Sequence, residues 1–204
     1  KHIQKYIVLL TLYQVGFGFS KAASSLVLVD KGVPNENIQL IGSMCIPFCI
    51  IVSLYLETKK DNFYTTFFQA FKYKTVVVAF EALYLFYFEE LLELTNMFTV
   101  CLIYFILAAV NSVFNNALFC CMCGFHNSVV DLKIGATYIT ALASIGNLSN
   151  QLPSFFILTL VDYSGFKAIS MVSVIYCLVY YQLFSQKMID IENMGKEKWK
   201  IEEK

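Results

Sequence analysis

A single apolar stretch carries, on one helical face, the polar side chains that a transport pathway would need. They follow one another at steps of three or four residues, so a helix places them all on one side: Thr137, Thr140, Ser144, Asn147 and Gln151. Polar side chains in hydrocarbon are costly unless they face protein or water. The stripe therefore predicts a membrane helix that lines a pathway, with Ser144, Asn147 and Gln151 as candidate substrate-binding residues.

Lys21 is the most costly residue in the sequence, because it lies inside the first apolar run and about ten residues, or 15 Å, from the nearer interface. It shares a helical stripe with Gln14, Phe17 and Ser24. We expect Lys21 and Gln14 to face a cavity and to bind an anionic substrate. The alternative is a lysine that extends its ammonium group to the interface.

Other polar residues leave two interpretations open. Asn111 and Asn115 are four residues apart and could bind a ligand or hold helices together. Asp131 and Lys133 precede the polar stripe, where they could form a gating charge pair or simply cap a helix. Glu81 could be a proton or ion site.

Length and composition predict an all-α membrane protein. The chain has 204 residues, of which 58% are hydrophobic, and its mean hydropathy is +0.62. Its apolar runs reach about 20 residues, enough to cross a bilayer. We predict six transmembrane helices and a charged cytosolic tail at 187–204; the spans are about 3–29, 37–57, 75–92, 97–123, 134–161 and 166–186.

The distribution of lysine predicts that both termini are cytosolic. Of the 15 basic residues, all lysines, only Lys31 and Lys167 fall on the opposite side, and Lys21 falls within a span. Between the second and third spans, an aromatic stripe from Phe63 to Phe71 predicts an amphipathic helix on the membrane surface. His126 is expected to be a solvated residue at the cytosolic interface.

Six spans with both termini in the cytosol correspond to half of a twelve-span transporter. Each such half is built from two inverted three-helix repeats. Pro47 and Pro153 occupy the second span of each triplet, which agrees with such a repeat. The first, fourth and fifth spans should be central, and the third and sixth peripheral. Because the chain opens on Lys1 and not on Met, we expect it to be a fragment of a longer protein.

No catalytic set of nucleophile and base, phosphate-binding glycine loop or dinucleotide fingerprint is present, so we expect neither an enzyme, a cofactor, a metal site nor a nucleic-acid partner. An intramembrane acyltransferase would need a buried histidine with a polar partner, whereas His126 is expected to be interfacial and alone. Cys121, Cys123 and His126 have metal-like residue types, but small apolar residues at a helix end are the simpler interpretation.

Several motifs resemble one family in both order and spacing. They are Gly16-Phe17, Gly32-Val33-Pro34, the run from Ser128 to Thr140 that reads SVVDLKIGATYIT, Asn147-Leu148, Pro153 and Leu160-Val161-Asp162. Together they resemble the acetyl-coenzyme A transporter family of the major facilitator superfamily, in its C-terminal six spans. The bacterial muropeptide permeases are more distantly similar. The chain departs from the family pattern at Leu132-Lys133, at Ala136 and in the short loop at 162–165.

The resemblance implies transport of acetyl-CoA from the cytosol into the lumen of the endoplasmic reticulum, by alternating access in that membrane. It also implies an N-terminal six-helix half as partner and adds Tyr138, inside the longest motif, to the candidate substrate-binding residues. The alternative is a major facilitator permease for another anionic or amphiphilic solute.

Overall fold

The computed structural model describes residues 2–57, 62–130 and 135–194, and this part of the chain is helical apart from short turns. The helices are α1 (His2–Val15), α2 (Gly18–Ala22), α3 (Ser24–Asp30), α4 (Asn35–Met44), α5 (Ile46–Glu57), α6 (Phe63–Phe86), α7 (Phe88–Leu94), α8 (Met97–Val129) and α9 (Gly135–Glu192). The prediction of an all-helical chain is therefore confirmed over the described residues.

Three helical stretches in this part of the chain are long and apolar enough to cross a membrane. They are Asn35–Glu57, which comprises α4 and α5, then Met97–Val129, and finally Gly135–Glu192. The predicted six spans and the inverted repeats stay predictions, because α1 to α3 and α6 do not meet the same measure of apolar length.

The last stretch consists of two helical segments, 135–164 and 166–192. Gly165 has φ 74° and ψ 152°, a conformation that breaks a helix and that glycine adopts most easily. The two segments run in opposite directions beside the first helices, as the following neighbours show: Thr11–Ser149 and Gly18–Ile157 on the first segment, Leu9–Tyr180 and Leu12–Tyr176 on the second. The chain therefore reverses at Gly165, inside the short loop that the sequence indicates.

Two predictions for the region of the third predicted span, which forms α6 and α7, need correction. The aromatic stripe from Phe63 to Phe71 does not form a separate surface helix, because it is the start of α6, where Tyr64, Phe67 and Phe71 are buried. The predicted span at 75–92 is divided differently: α6 ends at Phe86, and α7 follows with three exposed glutamates. Hydrophobic burial explains the difference, since these aromatic rings pack against α8 and the second segment of α9.

The two long faces of α6 differ in character. One face exposes apolar side chains, as a lipid-facing helix would: Tyr73, Val76, Phe80 and Leu83. The opposite face is buried and carries Lys74 and Glu81 into the helical bundle. Helix α6 can therefore lie at the edge of the bundle and still present functional side chains on its inner face.

Candidate functional site

A cavity of about 300 Å³ lies between the first helices, α5, α6 and α8. Ligand pockets in proteins range upward from about this size. Its wall consists of Gln14, Phe17, Gly18, Ser20, Cys49, Lys74, Asn111, Ser112, Asn115 and Asn116. One ammonium group, four side-chain amides and two hydroxyl groups make this a site for a polar ligand.

The predicted first span is interrupted where it borders this cavity. Helix α1 ends at Val15 and α2 begins at Gly18, and the amide of Phe17 donates to the carbonyl of Gln14 at 3.1 Å. A Cβ atom on Gly16 would collide with Sγ of Cys177, and one on Gly18 with Ile157. The two glycines thus let the break lie against α9, and interrupted membrane helices of this kind often border transporter substrate sites.

Lys74 is a lysine in the middle of a long helix, and only 4% of it is exposed. Its Nζ donates to Oδ1 of Asn115 at 2.7 Å and lies 4.0 Å from the ring centre of Phe17. The ring face and the amide oxygen together offset part of the cost of a cation away from water. Asn115 is itself exposed, so the cavity opens beside the ammonium group.

Glu81 lies two helical turns beyond Lys74 and is also 4% exposed. Ser20 Oγ donates to Glu81 Oε2 at 2.6 Å. The amide nitrogen of Asn111 donates to the same carboxylate oxygen at 3.1 Å and to Ser20 Oγ at 2.9 Å. Ser20 and Asn111 line the cavity, so they connect the carboxylate of Glu81 to it.

Asn116 has a different role from its neighbours on α8. Its amide nitrogen donates to the carbonyl of Cys49 and to Oγ of Ser53, both at 2.7 Å. Both acceptors belong to α5. Asn116 therefore joins α8 to α5 and forms one wall of the cavity.

Three of the predicted binding residues meet at this cavity: Gln14, Asn111 and Asn115. Tyr138 lies instead in the apolar core, where its hydroxyl group has no hydrogen-bond partner among the described residues. Its position separates it from the cavity wall, and a binding role for it stays an untested prediction.

The predicted polar stripe lies on the outside of α9. Its five residues, Thr137, Thr140, Ser144, Asn147 and Gln151, are all exposed. The opposite face of the same segment is buried against the rest of the bundle, with Tyr138, Leu142, Ser149 and Ile157. Ser144, Asn147 and Gln151 are therefore not part of the cavity wall described above.

The remaining predicted residues cannot be placed. The backbone of Lys21 belongs to α2, but its side chain lies outside the described part of the structure, and so do Asp131 and Lys133. Their predicted roles in binding and gating stay predictions.

Sequence reasoning missed Lys74 and underrated Glu81. It placed Lys74 in a cytosolic loop and gave Glu81 a peripheral position. The signal was present: the buried positions of α6 recur every three or four residues, and Lys74 and Glu81 continue that series. A stripe that includes both aromatic and charged residues indicates one helix with a partly polar inner face.

His126 also differs from its prediction, since it is 3% exposed and not solvated. With Tyr6 beside it, it is a buried histidine with a polar partner, so that requirement no longer argues against an acyltransferase. Its Nε2 lies 2.6 Å from the hydroxyl of Tyr6, which accepts a hydrogen bond from the hydroxyl of Tyr64 at 2.7 Å. Oε2 of Glu192 accepts a hydrogen bond from the backbone amide of Tyr64 at 2.9 Å. This network joins α1, α6, α8 and α9 at one end of the bundle.

Comparison with known proteins identifies the family. The family model described as Acetyl-coenzyme A transporter 1 matches residues 64–201. An uncharacterised protein of Schizosaccharomyces pombe is 22% identical over 165 residues, which cover 79% of this chain and 31% of that protein. The chain thus spans about a third of the length of this curated relative. No solved structure matches. Because the family model covers well over half of its residues, the chain belongs to the acetyl-coenzyme A transporter 1 family.

Proposed function

We propose that this chain forms one six-helix half of a transporter that carries acetyl-CoA from the cytosol into the endoplasmic reticulum lumen by alternating access. The family match supports acetyl-CoA as the substrate and a transporter rather than an enzyme. The apolar helices of membrane length support a position in the bilayer.

The observation that carries the proposal is the buried ammonium group of Lys74 in the wall of a polar cavity. Acetyl-CoA is a polyanion because of its phosphate groups. A lysine offers an anion a compact point charge with three rotatable donors. Asn115 is in contact with Lys74 and Ser112 lines the same cavity, and both can donate hydrogen bonds to phosphate oxygens. Lys21, on the neighbouring α2, is the second proposed cation of this site.

The second half of the transporter would cover the exposed polar face of α9. Polar side chains on a membrane helix face protein or water, because lipid cannot satisfy them. Nothing in the described chain covers this face. We therefore assign it to the interface, or the shared pathway, between this chain and an N-terminal six-helix half.

The excess of lysine at the predicted cytosolic ends supports cytosolic termini. It would also attract a polyanionic substrate on that side, whereas the glutamates of α7 would repel it on the other. Residence in the endoplasmic reticulum membrane is part of the proposal and follows from the family resemblance.

The test is uptake by the full-length protein in proteoliposomes, with acetyl-CoA labelled separately in the acetyl group and in the CoA moiety. Transport moves the two labels together, whereas an acyltransferase would separate them. Unlabelled muropeptide and unrelated organic anions serve as competitors, because the alternative permease function predicts that one of them blocks uptake.

We expect Lys74→Met to reduce uptake of acetyl-CoA at least about tenfold, mainly by weakening binding, since the loss of about 1.4 kcal/mol is a factor of ten. Lys72→Met is the matched control: it lies two residues away on the same helix and is exposed. Normal uptake by the Lys74→Met variant would remove this cavity from the proposed pathway.

A further inference from the structure

A layer of buried polar side chains separates the two apolar cores of the bundle. On α6, residues of one core extend to Val78, and those of the other begin at Tyr84. Glu81 lies between them, in contact with Ser20 of α2 and Asn111 of α8. A buried carboxyl group costs stability unless it is paired or neutral, so its presence at this junction calls for a function.

The hydrogen bonds around Glu81 are incomplete in an informative way. Oδ1 of Asn111 is buried and has no hydrogen-bond partner among the described residues. In the orientation seen, the amide nitrogen of Asn111 donates to the carboxylate of Glu81. After a half-turn of the amide, Oδ1 would face Glu81 and accept a hydrogen bond from its carboxylic acid, so Asn111 can hydrogen-bond to both protonation states of Glu81.

A metal cation fits this site less well than a proton. A cation would have to separate Ser20 Oγ from Glu81 Oε2, and these two oxygens are in direct contact. The Ser20–Glu81 distance of 2.6 Å is that of a direct O–H···O bond to a carboxyl group. Among the described residues, no group of three metal-binding side chains lies close together.

The charged and titratable groups around Glu81 come from two helices. Lys74 acts on it from the same helix, two turns away, and Tyr104 faces it from α8. The groups contributed by α2 and α3, Ser20 and Ser24, are neutral. Lys21 belongs to α2, but its side chain lies outside the described structure.

Occupation of the cavity by an anion changes the protonation equilibrium of Glu81. Phosphate oxygens beside Lys74 and Asn115 would neutralise the ammonium group and bring negative charge towards the carboxylate. Like charges in a site of low dielectric favour protonation of one of them. Binding of an anion and binding of a proton at Glu81 are therefore linked, and each must strengthen the other.

We propose that Glu81, Ser20 and Asn111 form a proton-binding site that is loaded when the anionic substrate occupies the cavity, so that transport is coupled to proton movement. This inference rests on the proposed transport function. One proton passes from water in the cavity to the carboxylate of Glu81 when substrate binds. It returns to water on the opposite side when substrate is released.

The experiment compares two kinds of transport by the full-length protein in proteoliposomes. The first is exchange of labelled for unlabelled acetyl-CoA at equal pH, which needs no driving force. The second is accumulation driven by a pH difference of one unit, with the membrane potential clamped at zero. For one coupled proton, this difference supports about tenfold accumulation. A sodium gradient without a pH difference is the third condition.

We expect the wild type to exchange and to accumulate acetyl-CoA with the pH gradient. Glu81→Gln keeps the size of the side chain but cannot release a proton, so exchange should persist while gradient-driven accumulation disappears. Asn111→Ala keeps the carboxyl group and should shift the pH at which accumulation is half-maximal. Glu93→Gln, on the exposed surface of α7, is the control and should behave as the wild type.

The proton site is refuted if the wild type exchanges acetyl-CoA but does not accumulate it when a pH gradient is applied. It is also refuted if the Glu81→Gln variant accumulates acetyl-CoA like the wild type, or if a sodium gradient alone drives accumulation. Absence of any exchange refutes the proposed function instead. In that case, infrared difference spectra across a pH titration decide the proton site: the carboxylic acid signal of a buried group should be present in the wild type and absent from Glu81→Gln.

Discussion

At the residue scale, the buried polar side chains of this protein satisfy one another across helices. The hydroxyl of Tyr6 is an example, because it lies between Nε2 of His126 and the hydroxyl of Tyr64. Removing a shared partner leaves two buried polar groups unsatisfied, at a cost of about 1–3 kcal/mol. The network therefore stabilises the end of the bundle where the four helices α1, α6, α8 and α9 meet.

Tyr6→Phe should consequently lower the melting temperature of the purified protein in detergent by several degrees, since about 1 kcal/mol corresponds to roughly 2–4 °C in a chain of this size. Tyr163→Phe is the control, because Tyr163 is 86% exposed. Equal melting temperatures for wild type and Tyr6→Phe would show that water replaces the hydroxyl without cost.

Lys21 carries a second prediction at this scale. Lys21→Met removes an unfavourable charge from a membrane helix and keeps most of the side-chain length, so the variant should insert at least as well as the wild type. Uptake of acetyl-CoA should fall through weaker binding. The exposed Lys5 provides the control Lys5→Met. Normal uptake by Lys21→Met would mean that this lysine reaches the interface and does not bind substrate.

At the scale of the element, periodicity was a better guide than hydropathy. The three-to-four-residue steps on α9 correctly grouped five polar residues on one face, because a helix fixes that geometry whatever surrounds it. The same rule could have identified α6 as one helix. Lys72, Lys74 and Glu81 instead suggested a loop and an interrupted span. Periodicity can place Lys74 and Glu81 on the aromatic face of α6. A single sequence does not show which residues of other helices satisfy them.

The break between α1 and α2 provides a prediction for an element. Gly18→Val would push a branched side chain against Pro153 and Ile157 of α9. Overpacking of this kind costs about 1–3 kcal/mol, and the displaced break would also move Phe17 and Ser20 at the cavity. Both the melting temperature and uptake should fall.

Gly42→Val is the matched control, because Gly42 is also helical and has open space where a Cβ would lie. Both variants exchange glycine for valine in a helix, so the difference between them reports the close approach to α9. Equal effects of the two substitutions would contradict the tight packing at Gly18.

At the scale of the whole molecule, the two faces of the first α9 segment point to a larger assembly. Tyr138, Leu142 and Ile157 are buried within the chain, while the polar stripe faces outward. In a membrane, an uncovered stripe of polar side chains would meet lipid, where polar groups are costly. The proposed second half of the transporter, or a water-filled pathway shared with it, would resolve this conflict.

Cysteine scanning along 137–151 tests this arrangement in the full-length protein, after replacement of its native cysteines, of which seven lie in this chain. Reaction with a membrane-impermeant thiol reagent should rise and fall every three or four residues. The maxima should lie on the face of Thr140, Ser144 and Asn147, and the minima at Tyr138, Leu142 and Ser149. Acetyl-CoA should slow the reaction at the maxima if the stripe lines its pathway, whereas an unrelated anion should not. A flat profile, with every position equally slow, would place the stripe against lipid and contradict the assignment of this face to a partner half or a pathway.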